Sequence, residues 1–192
     1  MQILAGLSYL LEKRLLHLDI AARNTLLGSR NEVKIADFGM CRRLPESKAS
    51  LVVKEIPKVA TRWLAVEAFD EHKLSEKSDV WAVGVTVWEI CTQGEKPYSD
   101  VHFLQVAREV KDGRRLSQPR SCPDPLWEVV SRCWHKKPEK RPTFAELTAL
   151  LTQVQKDLDA TETTRDLGRH IFTRTMGKPL QKVDEEQFQV DP

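Results

Sequence analysis

Between Ser78 and Cys91 the chain reads Ser-Asp-Val-Trp-Ala-Val-Gly-Val-Thr-Val-Trp-Glu-Ile-Cys, apolar on nearly every side. A helix of this composition has no face to offer water, so other elements must enclose it. Its β-branched residues would also suit a strand, but the run is longer than an ordinary one. A buried central helix therefore predicts a mainly α domain built around a hub. Residues 1–13 carry Ile3, Leu4, Leu7, Leu10 and Leu11 at helical spacing. Val101, Leu104, Ala107 and Val110 mark a second wall helix, ended by Gly113. A third runs through Trp127, Val130 and Trp134 after Pro123 and Pro125. The last opens at Arg141-Pro142-Thr143-Phe144 and turns Leu147, Leu150, Leu151 and Val154 inward. Trp63-Leu64-Ala65-Val66-Glu67 is expected to begin a short helix.

A chain of 192 residues is one domain's worth, with enough apolar content to bury a core. Its 30 basic and 28 acidic residues leave a net charge of +2, which argues against a dedicated nucleic-acid binder. Cys41, Cys91, Cys122 and Cys133 show no paired spacing and no metal-ligand spacing with histidine. Reduced thiols in a cytoplasmic setting are expected. The apolar start, Met1 to Leu11, has neither a basic leader nor a small-residue cleavage site and is too short to span a bilayer. It begins inside a periodic pattern with no capping residue before it, as if an upstream part were missing. Beyond residue 158 the periodicity fades, and the chain ends with the acidic residues Asp184, Glu185, Glu186 and Asp191. The expected division is a folded domain over 1–156 and a polar, largely disordered tail over 157–192.

The chemistry concentrates in His17-Leu18-Asp19-Ile20-Ala21-Ala22-Arg23-Asn24 and in Asp37-Phe38-Gly39. Asp19 and Asn24 are close enough in sequence for one loop to aim a carboxylate at a hydroxyl and an amide oxygen at a cation. Asp37 adds a second hard oxygen ligand, of the kind Mg²⁺ prefers. Thr25-Leu26-Leu27 and Val33-Lys34-Ile35 are short strand candidates around a Gly28–Asn31 turn. That hairpin would bring Asn24 and Asp37 to neighbouring ends of two strands. Residues 40–62 read as a long, basic loop, and loops of this length in compact domains are often functional.

The Asp-x₄-Asn pattern followed by Asp-Phe-Gly resembles the catalytic and metal loops of protein kinases. Residues 1–156 as a whole resemble the C-terminal lobe of a protein-tyrosine kinase, of receptor type or a cytoplasmic branch other than Src. Ala21 and Arg23 after Asp19, Arg62-Trp63, Gly94 with Pro97-Tyr98, Gly113-Arg114-Arg115-Leu116, Cys122-Pro123, Cys133-Trp134 and Arg141-Pro142-Thr143-Phe144 follow the family's order. The resemblance implies transfer of the ATP γ-phosphate to a tyrosine of a protein substrate, with ATP and Mg²⁺ as cofactors. It implies that Asp19 takes the tyrosyl proton, that Arg23 positions substrate, and that Asn24 and Asp37 ligate Mg²⁺. Arg62 and Trp63 would shape the substrate platform. Glu67 would pair with Arg141, Asp79 would tie the catalytic loop to the central helix, and His17 and Phe38 would stack between lobes. The location implied is the cytoplasm, or the cytoplasmic side of a membrane for a receptor.

Three departures bear on this expectation. Leu18 stands where active tyrosine kinases usually carry an arginine that pairs with a phosphorylated residue. Val66 replaces a proline before Glu67, which loosens one turn. No glycine-rich loop and no nucleotide-binding lysine occur in the chain, so it is expected to lack the N-terminal lobe and to transfer no phosphate by itself. A pseudokinase or kinase-like scaffold is the alternative. The only tyrosines, Tyr9 and Tyr98, are expected at structural positions, and residues 37–67 contain none. Phosphotyrosine in that segment therefore does not control the protein. After incubation of the full-length protein with ATP, mass spectrometry should find no phosphorylation within 37–67 that raises activity.

Overall fold

The computed structural model describes residues 1–55 and 58–160. Its centre is helix α3, Glu76–Cys91, with Val80, Trp81 and Val85 wholly buried. A reciprocal cap fixes its start: the Lys77 amide donates to Ser75 Oγ at 3.2 Å, and the Ser75 amide to Ser78 Oγ at 3.1 Å. Around α3 stand α1 (Gln2–Glu12), α2 (Val66–Asp70), α4 (Phe103–Lys111), α5 (Asp124–Arg132) and α6 (Phe144–Ala160). Leu4 and Leu7 of α1, Val106 and Val110 of α4, Val129 and Val130 of α5, and Leu147 of α6 close one core with it.

Charged side chains finish this core. Trp81 carries the guanidinium groups of Arg115 and Arg141 over its ring, at 4.7 and 4.8 Å from the centroid. Arg141 in turn meets both carboxylate oxygens of Glu67 at 2.8 Å, fork to fork. Ser78 Oγ donates to the same carboxylate at 3.2 Å. The start of α6, the start of α3 and α2 are thereby joined at one buried point.

Among the described residues the strands form three separate antiparallel ladders: β1 (Leu15–Leu16) with β4 (Arg42–Arg43), β2 (Thr25–Leu27) with β3 (Val33–Ile35), and β5 (Ser50–Val52) with β6 (Lys73–Ser75). Only the middle one is the expected hairpin. Residues 40–62 are thus not one long loop: they supply β4, β5 and a 3-10 helix, Lys58–Trp63. Their partners are distant in sequence, and strands of two or three residues are too short to show alternation. Leu51 and Val53 pack on a second apolar cluster made by Leu16, Leu18, Leu44, Ala68 and Leu74.

Other expectations need correction. The short helix begins at Val66, not at Trp63, because Ala65 is extended at ψ 159°. Leu104 is 69% exposed. It lies about 200° around the helix from Val106, on the opposite face. Tyr98 is buried, but Tyr9 is 58% exposed beneath Lys13 and holds no core position. Helix α6 continues past the expected boundary at 156 to Ala160. The expected disorder of the tail falls on residues 161–192, outside the described ones. Among the described residues no helix is long and apolar enough to cross a membrane.

Gly84 marks a close approach to α3. A Cβ there would sit 2.7 Å from Trp134 Nε1 and 2.8 Å from Cys133 Cβ. Neither neighbour can swing away, since Trp134 Nε1 donates to the Trp81 carbonyl at 3.3 Å and both residues are buried. Gly84→Ala should therefore lower the unfolding free energy by about 1–3 kcal/mol, read from urea midpoints.

Candidate active site

The loop after β1 starts with strain. Leu18 has φ 67°, a left-handed conformation that costs a bulky side chain about 1–3 kcal/mol. Two contacts hold it. Its side chain is buried in the second apolar cluster, and Asp79 grips its backbone. The two oxygens of Asp79 accept the amides of His17 and Leu18, each at 2.8 Å. Asp79 lies in the first turn of α3 and is fully buried, and burial pushes its pKa up to about 6 although both amides pull it down.

His17 joins this loop to the next. The Asp19 amide donates to His17 Nδ1 at 3.3 Å, and His17 Nε2 lies 3.2 Å from the Ala36 carbonyl. These partners assign the proton to Nε2, a neutral imidazole. Burial, which lowers its pKa, keeps it so. Phe38 meets the same ring at 5.2 Å between centroids, tilted by 60° and not stacked flat.

A 3-10 turn, Ala22–Asn24, then folds the chain back on Asp19. Arg23 reaches one carboxylate oxygen of Asp19, and Asn24 Nδ2 donates to the other at 2.8 Å and to the Asp19 carbonyl at 2.7 Å. With its nitrogen so used, Asn24 keeps its side-chain oxygen as the end that can take a cation. The Ala36 amide donates to the Asn24 carbonyl at 2.9 Å, extending the β2–β3 pairing. Asn24 and Asp37 therefore flank the same end of that hairpin. Asp37 is left-handed at φ 63° and exposed, and its Oδ1 accepts the Gly39 amide at 3.3 Å. Asp19 and Asn24 are buried, each 7% exposed.

The donor set suits Mg²⁺, which takes one or two carboxylates and completes its shell with phosphate oxygens and water. No cluster of three or more His, Cys, Asp or Glu residues that could cage a metal occurs among the described residues. Asn24 and Asp37 would be ligands only together with a substrate's oxygens.

Arg62 and Trp63 differ from each other in what they can touch. Arg62 is buried, and its guanidinium donates to the carbonyls of Pro97 and Val101 at 2.9 Å and to that of Tyr98. It tethers the 3-10 helix to the Pro97–Val101 segment, so any part it has in the expected substrate platform is through the backbone it holds. Trp63 is half-buried, with the Arg23 guanidinium 4.5 Å over its ring centroid. Its Nε1 donates to Glu89 Oε2 at 2.9 Å, and the Ala22 amide donates to the same oxygen at 3.0 Å.

Glu89 is the residue that the sequence reading missed. The available signal was a glutamate inside an almost wholly apolar run, since a buried carboxylate requires partners. Burial raises its pKa, and the two donated bonds oppose the rise. Asp79 holds the loop that bears Asp19, while Glu67 and Arg141 pair with each other in the scaffold, as described above.

A family model, that of the protein tyrosine and serine/threonine kinases, matches residues 1–151. The span includes every residue named in this site.

Asp79 gives the site a pH signature. Its carboxyl ordinarily titrates at 3.8 and does so at about 6 in the fold, so the folded state binds the proton more tightly between those values. This group's contribution to stability therefore falls as pH rises through that window. Asp79→Asn should remove that component of the slope in urea unfolding measured from pH 4 to 7.

Proposed function

The chain belongs to the protein tyrosine and serine/threonine kinase family, and on that premise we propose that it is the C-terminal lobe of a tyrosine kinase. Its members transfer phosphate from ATP to protein hydroxyl groups. The observation that carries the finer reading is the setting of Asp19. Its carboxylate is held between Arg23 and Asn24, beside a hairpin end bearing two oxygen donors. Asp19 orients the tyrosyl hydroxyl and takes its proton as the oxygen attacks the γ-phosphorus and ADP departs. Arg23 balances the charge of Asp19 and keeps the carboxylate aimed. Asn24 and Asp37 would hold Mg²⁺, which would supply charge compensation on the phosphates.

Tyrosine in place of serine or threonine is supported by Ala21, at the position where the latter enzymes usually carry lysine, together with Arg23 and Trp63. The phosphate grip would come from an N-terminal lobe acting with this one, because the family's glycine-rich loop and strand lysine are not among residues 1–192. A second reading, a kinase-like binding module, is favoured by Leu18 and by the engagement of both Asp19 oxygens.

Phosphate transfer to a tyrosine polymer, by the kinase that carries this lobe, tests the choice. Asp19→Asn should lower turnover by about 10²–10⁴-fold, the usual worth of general-base help. A serine/threonine polymer should not be labelled. Equal turnover with and without the substitution would remove Asp19 as the base, and no transfer by either form would favour the binding module.

A further inference from the structure

One oxygen of Glu89 gathers donors from two elements that lie far apart along the chain. It accepts the Ala22 amide, within the loop that carries Asp19, and the indole N–H of Trp63, at the end of the 3-10 helix Lys58–Trp63. A ring of contacts then closes. The indole edge is fixed by Glu89, its face lies under Arg23, and Arg23 reaches Asp19. Arg23 itself is exposed and has many rotamers open to it. Without a fixed aromatic face beneath it, its hold on Asp19 would be one of many arrangements. A carboxylate at position 89 is costly to bury, and plain packing of α3 would be served as well by leucine. Its place in the fold makes sense if the two donated bonds are what it is for.

We infer that Glu89 is a positioning residue: through Trp63 and the Ala22 amide it sets the orientation of Arg23, and through Arg23 that of the Asp19 carboxylate. Glu89 touches no reacting atom. Its effect is to lock the catalytic loop and the 3-10 helix that ends in Trp63 to one helix, so that the two move together. The inference rests on the kinase reading only for its consequence in turnover, because the coupling itself is a property of the fold.

The test is ¹⁵N–¹H spectroscopy of the 192-residue chain. The Trp63 indole and Arg23 Nε–H resonances are assigned by their loss in Trp63→Phe and Arg23→Lys. In Glu89→Gln, the amide oxygen can still accept both bonds. The Trp63 indole proton should move upfield as a charged acceptor becomes neutral, and Arg23 should stay in place. In Glu89→Ala, both resonances should shift, with Arg23 moving to the position of solvated arginines. If Glu89→Ala does not fold, Glu89→Asp serves instead: it keeps the charge, but the shortened side chain cannot reach both donors, and Arg23 should shift. An unmoved Arg23 resonance in a folded Glu89→Ala or Glu89→Asp chain overturns the inference.

Turnover is measured alongside, in the kinase that carries this lobe. Glu89→Ala should lower kcat for tyrosine transfer by up to about 10²-fold, as misplacement of a catalytic group does, with KM for ATP unchanged. Rescue of kcat by Glu89→Gln separates positioning from loss of charge. Coupled resonances in a protein without transfer would dispose of the catalytic reading and leave the positioning role standing. Transfer with uncoupled resonances would do the reverse.

Discussion

Everything in the site hangs from two carboxylates that the central helix carries into its own apolar surroundings. Asp79 and Glu89 stand ten residues apart on α3, about 15 Å along its axis. Asp79 holds the entrance of the catalytic loop at His17 and Leu18, and Glu89 holds its far side at Ala22. Each acceptor is a carboxyl group, and each donor from the loop is a backbone amide with no ladder to join. Bonds of this type are stronger than neutral ones and leave few unpaired groups in a region without water. A short irregular loop is thereby made as well defined as a strand. Because both anchors belong to one helix, their separation is fixed by helix geometry and not by the loop's own preferences.

The left-handed backbone at Leu18 belongs to the same device. The turn delivers Asp19 toward Arg23 and Asn24, and its conformational cost is met by the Asp79 bond on one side and apolar burial on the other. An arginine at this position would need a counter-charge within reach. Leucine needs only apolar neighbours, and the segment after Asp37 supplies Met40, Leu44, Leu51 and Val53. The β1–β4 and β5–β6 ladders lay that segment against the cluster, and Arg14 adds a bond to the Lys48 carbonyl at 2.8 Å. Residues 40–53 are thus held here by apolar contact, backbone pairing and the Arg14 bond.

Much of this could be read from the residues and part of it could not. The buried helix, its four longer neighbours and the β2–β3 hairpin follow from local periodicity, which is a property of consecutive residues. The β1–β4 and β5–β6 ladders depend on partners far off in the chain and leave no local trace. Leu104 misled because spacing alone does not say which turn of α4 faces inward when the helix starts only at Phe103. In the site, the residues with a motif around them, Asp19, Asn24 and Asp37, were visible as a group. Glu89 belongs to no short motif, and its meaning emerges only when Ala22 and Trp63 arrive beside it. Arg62 is a similar case, since its sequence context does not show that its guanidinium is spent on three carbonyls.

The charged groups inside this fold divide by what they hold. Arg141 with Glu67 and Arg62 with three carbonyls fix elements of the scaffold to one another. Asp79 and Glu89 fix the scaffold to the loop that bears Asp19. Of the first kind, the Arg141–Glu67 pair could in principle be exchanged for well-packed apolar residues with little loss of stability. The second cannot, because its partners are backbone amides whose positions are themselves the product. An apolar replacement at residue 79 or 89 would leave those amides to find other acceptors, and the loop would rearrange to reach them. The pattern of buried carboxylates on α3 is therefore better explained by the geometry of the loop it supports than by the stability of the helix that carries it.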